Sequence, residues 1–376
     1  MDFGFDVSTK INIENMPDFR DYLESIKNHK VLLILSKSME DRFDLSSCIN
    51  KLVSKNKCYR VLQVSPNPTE VDIKKALGIM DEKPDLVIAI GGGSAIDLAK
   101  GVIALSYMIG EEINQDTVLD SIIQKSYLEH VNEIEFVAVA TTSGTGSDVT
   151  RWGTIWQSDK TKKLSVEATW LAPSIAIVVP ELTMKMPIRL TLSSGLDALS
   201  HATESYWSKK SNPISRELSK TAIRIIIEYL PKVIQEPNNY VYREKMCYGS
   251  LFAGFAFANT RTTACHSISY PLTMMYGVEH GFACAVTLIE VMKFNREKII
   301  GLDELLDAFG VLDINGIKVW MDNVCYGIQD LKLSALGVEE KCIENIVKGA
   351  FTAGRMDNNP VEIEAWDVRN ILRATK

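Results

Sequence analysis

One carboxylate and three imidazoles in the second half of the chain have the types and spacing of a metal centre. Asp197 and His201 lie four residues apart in Gly195-Leu-Asp-Ala-Leu-Ser-His-Ala-Thr-Glu204. On a helix that spacing puts both side chains on one face. His266 and His280 follow, with Pro271 and Gly277 between them. Those two breakers keep the pair off one regular helix, and a chain reversal there would bring both to one point. Such a donor set suits a divalent transition metal with room left for a substrate. Each histidine alone reads as well as a satisfied polar residue in a helical core. The chain has only 5 histidines, and the gathering of three with Asp197 favours the metal.

Two glycine loops add nucleotide chemistry. Ile90-Gly-Gly-Gly-Ser-Ala-Ile-Asp-Leu-Ala-Lys100 follows an apolar run and opens a helical one. Ser94 reads as the N-cap, with Asp97 three residues on as in a capping box. Glycines admit close backbone approach, and the free N–H groups of a helix start attract phosphate oxygens. A tight strand-to-helix turn is the plainer alternative, and the loop is not a G-x-G-x-x-G fingerprint. Ala140-Thr-Thr-Ser-Gly-Thr-Gly-Ser147 also follows an apolar run and reads either as a second nucleotide loop or as a Ser/Thr turn. Two such loops at strand C-terminal ends mark the usual crevice of an open α/β sheet.

The elements that must position these residues change character along the chain. Short apolar runs at 31–35, 59–64, 86–90, 136–140 and 175–179 read as buried strands. Helical stretches such as 69–80 and 95–108 alternate with them, so a parallel sheet covered on both faces is expected. After Pro180 helical periodicity dominates, at 192–208, 213–229, 240–258, 284–295, 301–309, 314–330 and 341–352. The boundary is therefore placed near 180.

Composition narrows the function classes. A chain of 376 residues exceeds a typical single core. A net charge of -7 without a basic stripe argues against nucleic acid as a partner. No apolar run reaches the roughly 20 residues that span a bilayer, and the first residues lack a signal-peptide pattern. Seven cysteines, odd in number and without a C-x-x-C, point to a reducing, cytoplasmic setting.

At Gly91-Gly-Gly-Ser-Ala-Ile-Asp97, Thr141-Thr-Ser-Gly-Thr-Gly-Ser147, Gly195-Leu-Asp-Ala-Leu-Ser-His201, the segment at His266, and Gly277-Val-Glu-His-Gly281, the chain resembles the iron-containing (group III) alcohol dehydrogenase family. The motifs occur in the family's order, and the resemblance runs from about Val31 to the C-terminal helices. It implies a Rossmann-like α/β nucleotide-binding domain over 1–180 and an all-α metal and substrate domain over 181–376, in the dehydroquinate synthase-like fold. It implies Asp197, His201, His266 and His280 as ligands of Fe²⁺, with Zn²⁺ or another divalent ion also compatible. It implies Gly92, Gly93 and Ser94 on the pyrophosphate of NAD or NADP. It further implies that Thr141, Thr142, Ser147 and Lys163 surround the rest of the cofactor, with Asn67 and Asp97 counted among them. A homodimer is the family expectation, with residues 1–15 as a candidate exchanged strand or arm.

Two departures from the family pattern bear on chemistry. Many NAD-using members carry an Asp after the strand at 31–35; here Ser36-Lys-Ser38 stands there. Without that carboxylate a 2′-phosphate meets less repulsion, which favours NADP or dual use. An ordinary polar turn is the alternative. Many members also carry a His four residues past the third ligand; here it is Tyr270, a candidate proton donor or a packing residue.

For the substrate, Arg151, Trp152, Arg261, Arg355, Asn358 and Asn359 supply guanidinium and amide donors suited to a phosphonate dianion. Each alone reads as a surface ion pair or loop clamp. Within the family the combination is similar to members that reduce phosphonoacetaldehyde to 2-hydroxyethylphosphonate. The alternative is a general short-chain alcohol or diol dehydrogenase. A cyclase of the dehydroquinate synthase type fits worse, because its large polar substrate needs many basic residues. A non-catalytic metal or nucleotide sensor is the remaining class; it would bind cofactor without turnover.

Overall fold

The computed structural model describes residues 4–159 and 162–376. They form two compact units. One holds residues 7–142 and 147–183; the other holds 184–376 together with 4–6 and 143–146. The main break therefore falls at 183/184, and four residues of the second glycine loop belong with the helical unit.

In the first unit six strands, β1 (Lys10–Ile13), β2 (Lys30–Ile34), β3 (Lys57–Val61), β4 (Leu86–Gly91), β5 (Glu135–Ala140) and β8 (Ile175–Val178), make a sheet in the order β1-β8-β5-β4-β2-β3. Every pairing in it is parallel. Between β5 and β8 runs an antiparallel hairpin, β6 (Trp152–Trp156) and β7 (Lys163–Glu167). The helices are α1 (Met16–Ser25), α2 (Lys37–Arg42), α3 (Ser46–Lys55), α4 (Glu70–Gly78), α5 (Gly93–Ala104) and α6 (Gln115–Gln124).

Strand side chains alternate between faces, and both faces are covered. Leu32, Ile34, Val87, Ala89, Phe136 and Ala138 join one buried cluster; Val31, Leu33, Leu86, Ile88, Ile90, Val137 and Val139 join another. That is why these strands are apolar throughout rather than alternating. Each fully buried Val, Leu or Ile contributes about 1.5–3 kcal/mol. From β2 the chain steps outward to β3, then returns to the other side of β2 as β4. The turns after β2 and β4 thus flank a topological switch point, where such sheets bind ligands. Lys10–Ile13 pairs with β8 of the same chain, and the run 151–156 is largely strand β6.

The helical unit comprises α7 (Ile188–Trp207), α8 (Pro213–Gln235), α9 (Tyr240–Thr260), α10 (Ala264–Tyr276), α11 (His280–Asn295), α12 (Leu302–Phe309), α13 (Ile314–Cys325), α14 (Ile343–Gly349) and α15 (Ala365–Ala374). Helix α7 lies at its centre: every residue from Thr191 to Trp207 is buried. Helix α11 crosses it closely at Gly281, where an added Cβ would stand 1.8 Å from the Ser193 carbonyl oxygen. Pro271 lies inside α10. The break between the last two histidines is Gly277, left-handed at φ 68°, with Val278 N–H donating to Leu272 O at 3.3 Å, a glycine-terminated helix end. No helix among the described residues is long and apolar enough to cross a membrane.

Candidate metal and cofactor sites

Three helices of the second unit bring the histidines to Asp197. Its i, i+4 partner His201 presents Nδ1 at 3.9 Å from Asp197 Oδ1. His266, in the first turn of α10, presents Nε2 at 3.5 Å, and His280, the first residue of α11, presents Nε2 at 3.8 Å from the same oxygen. These separations exceed a hydrogen bond. They match donors flanking a shared ion: bonds of about 2.1 Å in a tetrahedral array set ligand atoms about 3.4 Å apart. Asp197 Oδ1, His266 Nε2 and His280 Nδ1 are buried with no hydrogen-bond partner, a costly state that a cation at the first two atoms relieves. The residues present therefore fit a divalent metal.

Beside the expected four stands Cys284. Donor atoms of Asp197, His266, His280 and Cys284 all lie within 4.8 Å of one another. His201 Nδ1 also lies 3.3 Å from Gly144 O, and its ring stacks against Phe257 and His266 with centres 4.1 and 4.3 Å apart.

Behind His266 sits Glu204, one helical turn beyond His201 on α7 and fully buried. Its Oε2 accepts from His266 Nδ1 in a very short hydrogen bond. Its Oε1 accepts from Thr263 N at 3.0 Å, Thr263 Oγ1 at 2.7 Å and Cys265 N at 2.8 Å. The carboxylate thus holds the imidazole with Nε2 turned to Asp197, the usual outer partner of a metal-binding histidine. Neither Glu204 nor Cys284 was singled out from the sequence. Their i, i+3 and i, i+4 spacing from His201 and His280 was the available signal.

The charges follow the same arrangement. Burial alone would raise the Asp197 carboxyl, but His201, His280 and His266 hold it well below the usual range. Burial pulls His201 down to about 3. Burial would raise Glu204 too, and His266 and Thr263 reverse it. The result is a buried pocket in which two carboxylates are held ionised among imidazoles.

In the α/β unit the cofactor candidates gather at the ends of β2, β4 and β5. Helix α5 starts at Gly93 with Gly92 as its N-cap and no side-chain cap. Ser94 is therefore not the cap: its Oγ accepts from Asn67 N at 3.2 Å. Asp97 is not a capping partner either. It accepts from Ser147 Oγ and faces Lys100, deep in the unit, so its role is to anchor the second loop. Lys100 Nζ donates to Ser147 O at 2.6 Å, Trp152 O at 2.8 Å, Thr150 Oγ1 at 3.1 Å and Ser147 Oγ at 3.2 Å. The uncapped N–H groups of α5 suit a phosphate. A Cβ on Gly92 would stand 3.4 Å from Thr142 Cγ2, and Thr142 Oγ1 is buried without a partner. Thr141 N–H donates to Gly91 O at 2.9 Å, tying the two loops together. Across the switch point Ser36 caps α2, and Lys37 pairs with Asp41 at 2.9 Å. Lys163 sits in β7 with Nζ 6.0 Å from the centre of the Trp156 ring.

Comparison with known proteins matches residues 9–180 to "Iron-containing alcohol dehydrogenase" and residues 191–376 to "Fe-containing alcohol dehydrogenase family, C-terminal". The chain belongs to the iron-containing alcohol dehydrogenase family. It is 30% identical to the NAD-dependent methanol dehydrogenase of Bacillus methanolicus over 373 residues, covering 93% of each chain. It is 29% identical to the 1,3-propanediol dehydrogenase of Klebsiella pneumoniae, covering 82% of this chain and 81% of that one. Among solved structures, sulfoacetaldehyde reductase from Bifidobacterium kashiwanohense in complex with NAD+ superposes with a TM-score of 0.86 at 27% identity, covering 100% of this chain and 99% of that one. The protein is thus an iron-type, NAD(P)-dependent alcohol dehydrogenase.

Within this dehydrogenase the residues expected at the substrate are not all free to meet one. Asn358 is buried and donates from Nδ2 to Thr260 O at 2.9 Å and Thr262 O at 3.0 Å. Asn359 exchanges amide hydrogen bonds with Asn295 at 2.7 and 2.9 Å. Both amides are spent on the protein, so their expected substrate role is replaced by a clamp. Trp152 is buried in β6. Arg151, ahead of it in the α/β unit, faces Glu167 at 3.6 Å. Arg261 and Arg355 do converge. Arg261 Nη1 lies 3.4 Å from where a Cβ on Gly354 would stand, and Arg355 Nη1 donates to Gly354 O at 3.1 Å. Arg261 itself is held left-handed at φ 62°, in the turn whose carbonyls Asn358 ties. Tyr270 is buried on α10, its ring parallel to that of His280 with centres 6.2 Å apart.

Proposed function

We propose that this dehydrogenase reduces phosphonoacetaldehyde to 2-hydroxyethylphosphonate with NAD(P)H. The observation that carries the reading is the pair of guanidinium groups, Arg261 and Arg355, brought to one glycine at the end of the segment that leads to His266. Two adjacent cations favour a compact dianion, and guanidinium forks match tetrahedral oxyanions. The structural similarity to a sulfoacetaldehyde reductase supports a two-carbon aldehyde bearing such an anion.

We assign Asp197, His201, His266 and His280 to the metal. When bound, the ion supplies Lewis acidity at the carbonyl oxygen and the nicotinamide supplies the hydride. The protein's own residues do the rest. Glu204 keeps the proton of His266 on Nδ1, leaving Nε2 as donor. Arg261 and Arg355 hold the phosphonate and so fix which carbon is reduced. Tyr270 is the proton donor to the product oxygen. Gly92, Gly93 and Ser94 take the pyrophosphate, Thr141, Thr142, Ser147, Lys163 and Asn67 surround it, and Ser36, Lys37 and Ser38 admit a 2′-phosphate. The Lys37–Asp41 pair is exposed and weak, so it yields readily to one. The reading includes a homodimer in a reducing cytoplasm; no disulfide joins any of the seven cysteines.

The second reading is a general short-chain alcohol or diol dehydrogenase, which the similarity to methanol and 1,3-propanediol dehydrogenases favours. Anaerobic Fe²⁺-loaded turnover with phosphonoacetaldehyde beside propanal and glycolaldehyde separates the two. A large kcat/KM preference for the phosphonate that collapses in Arg261→Gln supports the first. Equal rates with plain aldehydes overturn it.

A further inference from the structure

We propose that Asn358 is a positioning residue for the substrate, acting through Arg261: its amide sets the two guanidinium groups where one phosphonate can bridge them. This rests on the reading of Arg261 and Arg355 as the anion site.

Arg261 follows α9 with φ 62° and ψ 174°. That backbone is close to reserved for glycine, and another residue keeps it only where the surroundings impose it. Here they impose it from both sides. Ahead of Arg261, Thr260 Oγ1 donates to Ser205 Oγ at 2.8 Å. After it, Thr263 donates to Glu204 from N and Oγ1 and accepts from Trp207 Nε1 at 2.9 Å. Those contacts tie the ends of the turn to α7. The middle is left to Asn358, which is buried. Its Nδ2 gives both hydrogens to the carbonyls on either side of Arg261, Thr260 O at 2.9 Å and Thr262 O at 3.0 Å. Two carbonyls on one side fix which way round the amide stands, and a carboxylate of the same shape would have no donor for either. Ser208 Oγ backs the clamp, 3.2 Å from Asn358 Oδ1 and 3.1 Å from Thr260 O. The backbone of Asn358 completes the link: its N–H donates to Arg355 O at 3.1 Å, and its carbonyl accepts from Lys209 N at 3.0 Å. One residue thus holds the chain at both arginines. A guanidinium pair recognises a compact dianion only at a spacing the dianion can bridge, so the clamp bears on anion recognition before it bears on the chemistry at the carbonyl.

The test compares phosphonoacetaldehyde with propanal on the Fe²⁺-loaded full-length enzyme, beside Fe²⁺ content and thermal melting. The variants are Asn358→Ala, the milder Ser208→Ala, Arg261→Gln, and Asn358→Ala combined with Arg261→Gln. In Asn358→Ala the ratio of kcat/KM for the phosphonate to that for propanal should fall about tenfold, through KM more than kcat, with Fe²⁺ content kept. Ser208→Ala should move the ratio the same way by less. With Arg261 already changed to Gln, Asn358→Ala should lower the ratio no further, because the group it positions is gone. An unchanged ratio in Asn358→Ala, equal losses with both aldehydes, or a loss that adds to that of Arg261→Gln would overturn the positioning role and leave the anion site standing. If Asn358→Ala does not fold, Ser208→Ala decides, and an unchanged ratio there overturns the role. A wild-type enzyme without a phosphonate preference, or a preference that survives Arg261→Gln, would instead remove the anion site itself, and this inference with it.

Discussion

Replacing Glu204 with Gln should weaken metal binding without unfolding the protein. Gln has the same shape, so its carbonyl oxygen can take over from Oε1 the donors Thr263 N, Thr263 Oγ1 and Cys265 N. The amide NH₂ then occupies the place of Oε2 and faces His266 Nδ1, which donates to Glu204 in the native protein. Two donors cannot share that contact. The imidazole must move its proton from Nδ1 to Nε2, and a protonated Nε2 cannot ligate. Loss of such an outer partner costs about 10–100-fold in metal affinity, or about 1.4–2.8 kcal/mol. Turning the amide round instead would set its NH₂ against the donors at Oε1, at about 1–3 kcal/mol for each donor left unsatisfied, so the tautomer change is the cheaper outcome. The assay is chelator competition with Zn²⁺ at neutral pH, beside thermal melting of the metal-free protein. Weaker binding with a nearly unchanged metal-free melting temperature is expected. Unchanged metal affinity in Glu204→Gln would refute the argument. Glu204→Ala is the contrast: it strands the donors at Oε1 and should lower the stability of the metal-free protein as well.

Three further outcomes follow from other parts of the molecule. Gly281→Ala should destabilise the protein by about 3 kcal/mol or more, because its Cβ would press on the Ser193 carbonyl at 1.8 Å and force α11 off α7; a native melting temperature would show that the helices can part freely. Lys100 is fully buried, and burial lowers it from 10.5 to about 8 despite Asp97 and Asp148. Between those values the unfolded chain keeps a proton that the folded one has released, so this group makes stability rise with pH from about 8 to about 10.5, by about 3 kcal/mol in all. Urea titrations of wild type and Lys100→Met across that window check it, since the variant should lose the rise; equal pH slopes would contradict the sign. Ser36→Asp should keep the α2 cap, as Asp caps as well as Ser, while lowering kcat/KM for NADPH about tenfold more than for NADH through repulsion of the 2′-phosphate. Equal losses with both cofactors would remove Ser36 from the discrimination.

Local pattern carried much of this protein. The apolar runs at 31–35, 86–90 and 136–140 announce strands buried on both faces, because only such strands are apolar at every position. The i, i+4 step from Asp197 to His201 is a helix-face statement that needs no tertiary structure. Glycines 91–93 between a strand and a helix mark a phosphate-sized turn for the same local reason. By contrast, the β6–β7 hairpin escaped detection, and β1, expected within an exchanged strand or arm, is a short edge strand that pairs with β8 of its own chain, more than 160 residues away in sequence. The cap of α5 went to Gly92 rather than Ser94 because Asp97 is drawn inward by Lys100 and Ser147, partners that no local window contains.

What only the tertiary structure decided is which polar groups have something left to give. Asn358 and Asn359 look like ligand-binding amides in a linear chain, yet distant carbonyls and Asn295 consume them. Glu204 and Cys284 look like ordinary helix residues, yet crossing helices set one behind His266 and the other beside His280. Residue type and helical period are encoded locally, so the sequence alone determined the four-residue donor pattern, the glycine turns and the α/β-then-helical order. Hydrogen-bond satisfaction depends on neighbours far apart in the chain, and only the packing of α7, α10 and α11 leaves Asp197 Oδ1 and His266 Nε2 buried and unpaired.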